Sequence, residues 1–303
     1  MKTVNENLDS VTIFDIEEHK RLSKEELLLD LNRLKEFPAS INENNFAGNN
    51  FLYHFQLKNL LQCRRENRKT IYEIAEDPTE WSKLIEQTKE KDRGGKSAAA
   101  NVFECYRINN GSVVMFKATT AKYIYKKYGA NRVLDPTAGW GGRLLGAWAK
   151  NISYFGIDLN YELKSAYKEM ISFLENQYFY GAWGETPEMK MVFLDSLTLD
   201  FRHLYQYDFV LTSPPYINLE IYEHMEEWKS KEIFYKDFFL PLFEKCITET
   251  KKATICFNIS PKMYDEFLSY GGMKCSEEED LKQQLGQQTD KKRQDKIYIW
   301  FVK

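Results

Sequence analysis

The chain has 303 residues, 43% of them apolar and 29% charged, with a net charge of −3. This suits a soluble globular protein of one large or two modest domains, and excludes a disordered, fibrous or globally basic chain. No apolar run approaches the roughly 20 residues of a membrane span, so no membrane partner is expected. The five cysteines, Cys63, Cys105, Cys246, Cys256 and Cys275, are odd in number and form no CxxC pair. That points to a reducing intracellular setting, cytoplasm or nucleoid, with a viral origin left open, and away from disulfides or a zinc site. The acidic start "MKTVNENLDSVTIFDIEEHK" does not read as a signal peptide.

The first 100 or so residues read as mostly helical. "LSKEELLLDLNRLKEFP" carries a capping-box pair, Ser23 and Glu26, then leucines at helical spacing, and stops at Pro38. "INENNFAGNN" is a loop, and "FLYHFQLKNLLQCRRENRKTIYEIAED" one or two further helices. "KEKDRGGKSAAA" is a charged, glycine-containing break. Its "GGKS" lacks the first glycine and the preceding strand of a phosphate loop. The first 50 residues are net acidic, and residues 51–126 carry a basic excess, densest in "CRRENRK" and "KEKDRGGK". Such runs are often only a solvated face.

From Asn131 onward short apolar runs alternate with helical segments: "RVLDP", "YFGID", "KMVFLD", "YDFVLTS", "ATICFNIS" and a last strand in "DKIYIWFVK". This predicts an α/β fold with a mostly parallel sheet wrapped by helices. In "WKSKEIFYKDFFLPLFEKC" the aromatics fall at near-helical spacing and read as core. The histidines His54, His203 and His224 show no metal-ligand spacing, so no metal is expected.

The chemistry gathers at strand ends. After Asp135 come Pro136, Gly139, Gly141 and Gly142, then a helical "RLLGAWA"; glycines let backbone approach a ligand, and the following helix aims its N–H groups at it. Asp158 closes the next strand, 19 positions beyond Gly139, where an acid can accept from ribose hydroxyls. Asp195 closes a third strand. Three carboxylates at successive strand ends line the edge where ligands bind in open α/β sheets. A fourth strand stops at Ser213-Pro214-Pro215-Tyr216. Prolines cannot donate to a ladder and fix φ, so this corner is rigid.

Together "DPTAGWGG", "GID", "LDS" and "TSPPY" resemble the S-adenosylmethionine-dependent methyltransferases that modify exocyclic amino groups of DNA bases, over roughly residues 110–303. The resemblance implies a Rossmann-like seven-stranded methyltransferase sheet with the last strand antiparallel, and a helical N-terminal extension. Residues 1–100 would be that extension, with a part in DNA recognition, and 101–303 the methyltransferase domain. The cofactor would be S-adenosyl-L-methionine. "FKATTAKYIYKKYG" looks like the motif that closes over it, here Phe116, Lys117 and Thr119. With these, the cofactor-binding residues would be Asp135, Pro136, Thr137, Ala138, Gly139, Gly141, Asp158, Leu159, Asp195 and Ser196. Ser213, Pro214, Pro215 and Tyr216 would be catalytic.

An acceptor at Ser213 and the Pro214 carbonyl would bind the two amine N–H groups and pull nitrogen toward tetrahedral geometry, exposing its lone pair. A neutral serine is not a strong general base. Tyr216 would stack on a base taken out of the helix. Only 77 residues separate Gly139 from Tyr216 and 87 follow it, so no recognition domain fits within the core. DNA, the expected partner, would then be gripped by Arg64, Arg65, Arg68, Lys69, Arg93 and Lys96, or by Lys291, Lys292 and Arg293 in "QQLGQQTDKKRQDK". "INLEIYEHMEEWKSKE" or a separate specificity or restriction subunit are the other places for it. The target is adenine N6 or cytosine N4. The alternatives are an RNA or protein amino or amide methyltransferase, a vestigial methyltransferase fold that only binds nucleic acid, and a dehydrogenase, in which SPPY would have no task.

Overall fold

Seven strands form one mixed sheet in the computed structural model of the chain, which describes residues 7–65, 67–91, 96–111, 113–177, 187–204, 206–217, 220–221, 227–250, 252–281 and 295–303. In chain order they are β1 (Arg132–Asp135), β2 (Ser153–Asp158), β3 (Met189–Phe193), β4 (Phe209–Thr212), β5 (Ala253–Ile259), β6 (Glu277–Asp280) and β7 (Lys296–Val302). Across the sheet the order is β3-β2-β1-β4-β5-β7-β6. The first five pair in parallel, and β7 runs antiparallel to both β5 and β6. This is a Rossmann-like sheet with its last strand antiparallel, as the sequence predicts. The order reverses between β1 and β4, so helices leave opposite faces there and open a crevice beyond the strand ends.

The central strands are near-continuous apolar runs because both faces are covered. Val133, Leu144, Leu145, Trp148 and Phe209 pack on one face; Leu134, Val210, Phe239, Phe257 and Trp300 pack on the other. Strand β6, "EEED", completes the expected seven strands but carries no apolar pattern that marks its place in the sequence. It sits at the edge, where Glu278 and Asp280 pair with Lys296 at 2.9 and 3.2 Å. Glu279 accepts from Tyr123 and Tyr128 and pairs with Lys127. Neighbouring cations and phenols let an acidic run serve as an edge strand, and its charge discourages edge-to-edge association.

The N-terminal helices form as expected and pack in two places. Helix Lys24–Glu36 starts at a complete Ser23–Glu26 capping box. Its Leu27, Leu31 and Leu34, with Phe51 and Leu52 of helix Asn49–Gln62, share a core with the sheet's own helices. Lys122 Nζ donates to the carbonyls of Leu34, Lys35 and Phe37 at 2.8, 2.7 and 2.6 Å. A cation thus closes the negative end of that helix. Helices Ile71–Ala75, Pro78–Lys91 and Ala98–Asn110 make a separate satellite core through Ile71, Leu84, Ile85, Val102 and Phe103. In "GGKS" Ser97 is simply the N-cap of helix Ala98–Asn110. A two-residue ribbon ties the two parts together: Arg64–Arg65 pairs antiparallel with Glu220–Ile221, four to five positions after Tyr216. Among the described residues no helix is long and apolar enough to cross a membrane.

Candidate active site

The glycine loop is held from below by side chains. Asp135 is wholly buried and bonds Arg143 Nε at 2.6 Å and the Tyr154 hydroxyl at 2.5 Å. Arg143 also donates to the Thr137 carbonyl, and Tyr167 to the Gly139 carbonyl at 2.8 Å. Gly139 adopts a left-handed φ of 60°, and its N–H donates to Asp158 Oδ2 at 2.7 Å. At Gly142, which starts helix Gly142–Ala149, a Cβ would lie 1.7 Å from the Phe116 carbonyl oxygen. Only glycine permits that approach.

Asp158 ends β2 and accepts a second N–H, from Asn160 at 2.9 Å. Burial pushes its carboxyl up to about 6, against the pull of those two N–H groups. Asp195 lies two positions beyond β3 and caps the short helix that follows by accepting from Leu197 N–H. Thr212, the last residue of β4, shares a 2.6 Å hydroxyl contact with Thr137, fastening SPPY to the glycine loop. Ser213 Oγ faces Asn258 of β5, at 3.3 Å from its carbonyl and 3.4 Å from its side-chain oxygen. A hydroxyl that donates to Asn258 keeps its lone pairs for another donor. The Tyr216 hydroxyl donates to Asp295 at 2.6 Å.

These groups face one cavity of about 690 Å³. Its lining brings together Phe116, Lys117, Pro136, Thr137, Ala138, Gly139, Asp158, Leu159, Asp195, Ser196 and the whole of Ser213–Tyr216. Thr119, Asp135 and Gly141, expected to hold cofactor, lie behind that wall. Thr119 is 1% exposed and donates to the Asn45 carbonyl. Asp135 is consumed by Arg143 and Tyr154, and Gly141 is the N-cap of the helix behind the loop. They shape the wall without forming its surface.

The cavity also exposes residues that the sequence did not single out: Trp140, Trp228, Asp237, Phe238, Asn258, Ser260, Lys262 and Asp295. Asn258 carried a signal, a polar residue near the C-terminal end of the otherwise apolar "ATICFNIS". In the aromatic segment read as core, Phe234, Tyr235 and Phe239 are indeed buried, while Phe238 turns to the cavity.

The basic candidates divide. Arg65 lines the cavity. Arg64 pairs with Glu73, Lys69 with Glu80 at 2.9 Å, Lys96 with Glu104, and Arg68 donates to the Asn109 carbonyl at 2.6 Å. Their partners are within the same helical region. Arg93, Lys291, Lys292 and Arg293 lie outside the described residues, as do His224 and residues 218–219 and 222–226 of "INLEIYEHMEEWKSKE".

No protein-family model matches the chain, and none of the curated proteins compared with it does. Among solved structures, an RNA methyltransferase from Salinibacter ruber in complex with S-adenosyl-L-homocysteine aligns at 12% identity, over 62% of this chain and 94% of that one, TM-score 0.38. An rRNA methylase from Streptococcus thermophilus aligns at 10% identity over 63% and 100%, TM-score 0.39. A tRNA m1G37 methyltransferase from M. jannaschii aligns at 15% over 64% and 52%, TM-score 0.37. Likenesses of this extent carry no argument about substrate.

Proposed function

We propose that the protein transfers a methyl group from S-adenosylmethionine to the exocyclic amino group of a DNA base, adenine N6 or cytosine N4. The observation that carries this reading is that one cavity is walled at once by the glycine loop, Asp158 and SPPY. Its size falls within the range of about 300–1,000 Å³ usual for small-molecule sites. The wall suits the cofactor chemically: a carboxylate set between two backbone N–H groups presents its remaining lone pairs to a ribose diol, and glycine backbone leaves room beside it. S-adenosylmethionine, when bound, supplies an electrophilic sulfonium methyl.

The chain's own work is to bind and orient. Asp158 accepts the ribose hydroxyls, and Asp195 and Leu159 border the adenine end. Ser213 Oγ, turned by Asn258, and the Pro214 carbonyl accept the two amine N–H groups. Tyr216 offers its ring to the base. A base buried deep in a duplex has to leave the stack to reach this wall. Arg65, on the cavity wall, is one place from which the chain can reach phosphate.

Calorimetry with S-adenosylmethionine and NAD, followed by transfer of labelled methyl to duplex DNA, RNA and protein, tests the reading. Cofactor binding with label in DNA amino groups is expected. Binding of NAD alone would end the methyltransferase reading. Label in RNA or in protein amide would keep the chemistry and move the substrate.

A further inference from the structure

SPPY contains one group that stacking on a base does not use, the Tyr216 hydroxyl. Phenylalanine would present the same apolar face. Here the hydroxyl donates to Asp295 Oδ1 at 2.6 Å, and Ser260 lies close enough to act on the phenol. Asp295 immediately precedes β7, and Ser260 is the N-cap of helix Pro261–Ser269. Three elements therefore come together beside this ring, and all three residues line the cavity.

A carboxyl drawn out of water is costly unless it is hydrogen-bonded. Burial raises the Asp295 carboxyl, with the phenol's hydrogen bond opposing it. Burial and Asp295 together hold the phenol far from ionising, so it stays a donor. The next residue, Lys296, is turned to Glu278 and Asp280 on β6. The cavity wall also carries the carboxylates of Asp158, Asp195 and Asp237 and the cations of Arg65, Lys117, Arg143 and Lys262. The contact made by Asp295 is thus with the ring of the acceptor motif.

We propose that Asp295 is a positioning residue: by anchoring the Tyr216 hydroxyl it sets the plane of that ring, and so the pose of the acceptor amine against Ser213 and Pro214. This rests on the methyltransferase reading above. A ring pinned only at its Cβ end can tilt, and a misplacement near 1 Å at reacting atoms can cost on the order of a hundredfold in rate. A strand start 79 positions away in sequence thereby becomes part of the acceptor side.

The test is a double-mutant cycle on the full chain. Tyr216→Phe and Asp295→Ala should each lower kcat by roughly tenfold, the worth of a hydrogen bond to a charged group. Affinity for S-adenosylmethionine should not change. The double variant should fall no further, because both singles remove one contact. Asp295→Asn, which can still accept from the phenol, should recover most of the loss. Loss of thermal stability with kcat and KM unmoved in Asp295→Ala would overturn the proposal, as would additive losses. A second readout needs no activity: with 3-fluorotyrosine at position 216, the fluorine resonance should shift or broaden in Asp295→Ala. An unmoved resonance would also overturn it. Wild-type protein that binds no S-adenosylmethionine and methylates no amine overturns the functional reading and the catalytic part of this one, while the resonance still reports whether Asp295 sets the ring.

Discussion

The glycine loop is braced by partners close in sequence, with Thr137 reaching farther, to Thr212 at 75 positions: Arg143 is held by Asp135 eight positions away, Gly139 by Asp158 nineteen away, and Gly139 again by Tyr167 twenty-eight away. Around SPPY the partners come from much farther, Asn258 at 45 positions and Asp295 at 79. The first set is a βαβ unit bracing itself. The second is assembled from separate strands and touches the ribbon that joins the N-terminal helices. The cofactor half should therefore fail as a fold when it is cut, and the acceptor half should fail as a catalyst.

The largest effect expected from that contrast is on stability. Asp135→Ala leaves the buried Arg143 guanidinium, 4% exposed, without its carboxylate. Removing one partner of a buried pair costs about 3–5 kcal/mol, enough to remove much of the stability of an ordinary domain. Denaturant unfolding should show this with or without cofactor. A loss below about 1 kcal/mol, the worth of a surface pair, would mean that the loop does not depend on this brace.

Next comes catalysis at the other end. Pro214→Ala or Tyr216→Ala should lower kcat on the order of a hundredfold or more, as loss of a transition-state contact does. Cofactor affinity should stay near wild type. If affinity fell in parallel with kcat, the corner would be a support for the cofactor half and the contrast would dissolve.

Cofactor binding itself should depend on Asp158. Asp158→Ala should cost about 2–3 kcal/mol of affinity, since hydrogen bonds to a charged acceptor are the stronger kind. The carboxyl is raised to about 6 in the free protein, and ribose hydroxyls favour its charged form. Affinity should then rise with pH through about 6 and level off above, with protons released on binding. For folding the same shift has the opposite sense. The folded protein retains a proton that an unfolded carboxyl near 3.8 has lost, so this group's contribution to stability falls as pH rises between those values. Calorimetry on either side of that window, in two buffers of different ionisation heat, checks both; a pH-independent affinity would remove Asp158 from the ribose.

This contrast also explains what could be read from the residues alone. Strands β1 to β5 and β7, the glycine loop and SPPY are local patterns: apolar runs, punctuation by Gly and Pro, an acid at a strand end. Asp135 was legible as a residue but not as a buried brace, because its partner Arg143 stands in a helix that looks merely amphipathic. Asp295 sits in a polar stretch with nothing to mark it. Strand β6 was hidden because its pairing rests on Lys296, Lys127 and two tyrosines from elsewhere in the chain. Patterns of period two carry no trace of such charges.

The smallest effect separates two adjacent arginines on the ribbon that joins the halves. Arg64 pairs with Glu73 in a salt bridge at the surface of the helical satellite, and Arg65, which has contacts of its own, lines the cavity. If a strand of DNA crosses the cavity mouth, Arg65 meets phosphate and Arg64 does not. Each phosphate contact on duplex DNA adds about 0.9 to the slope of log K against log[salt]. Arg65→Ala should therefore flatten that slope by about 0.9, and Arg64→Ala should leave it alone while loosening the helical satellite slightly. Titrating a short duplex at several salt concentrations decides it. Equal slopes for both variants and wild type would take the ribbon out of the DNA contact and leave the region of Lys291, Lys292 and Arg293 to provide it. A flattening by Arg64→Ala alone would mean that Glu73 gives up its partner when DNA arrives, and the ribbon would have to turn over on binding.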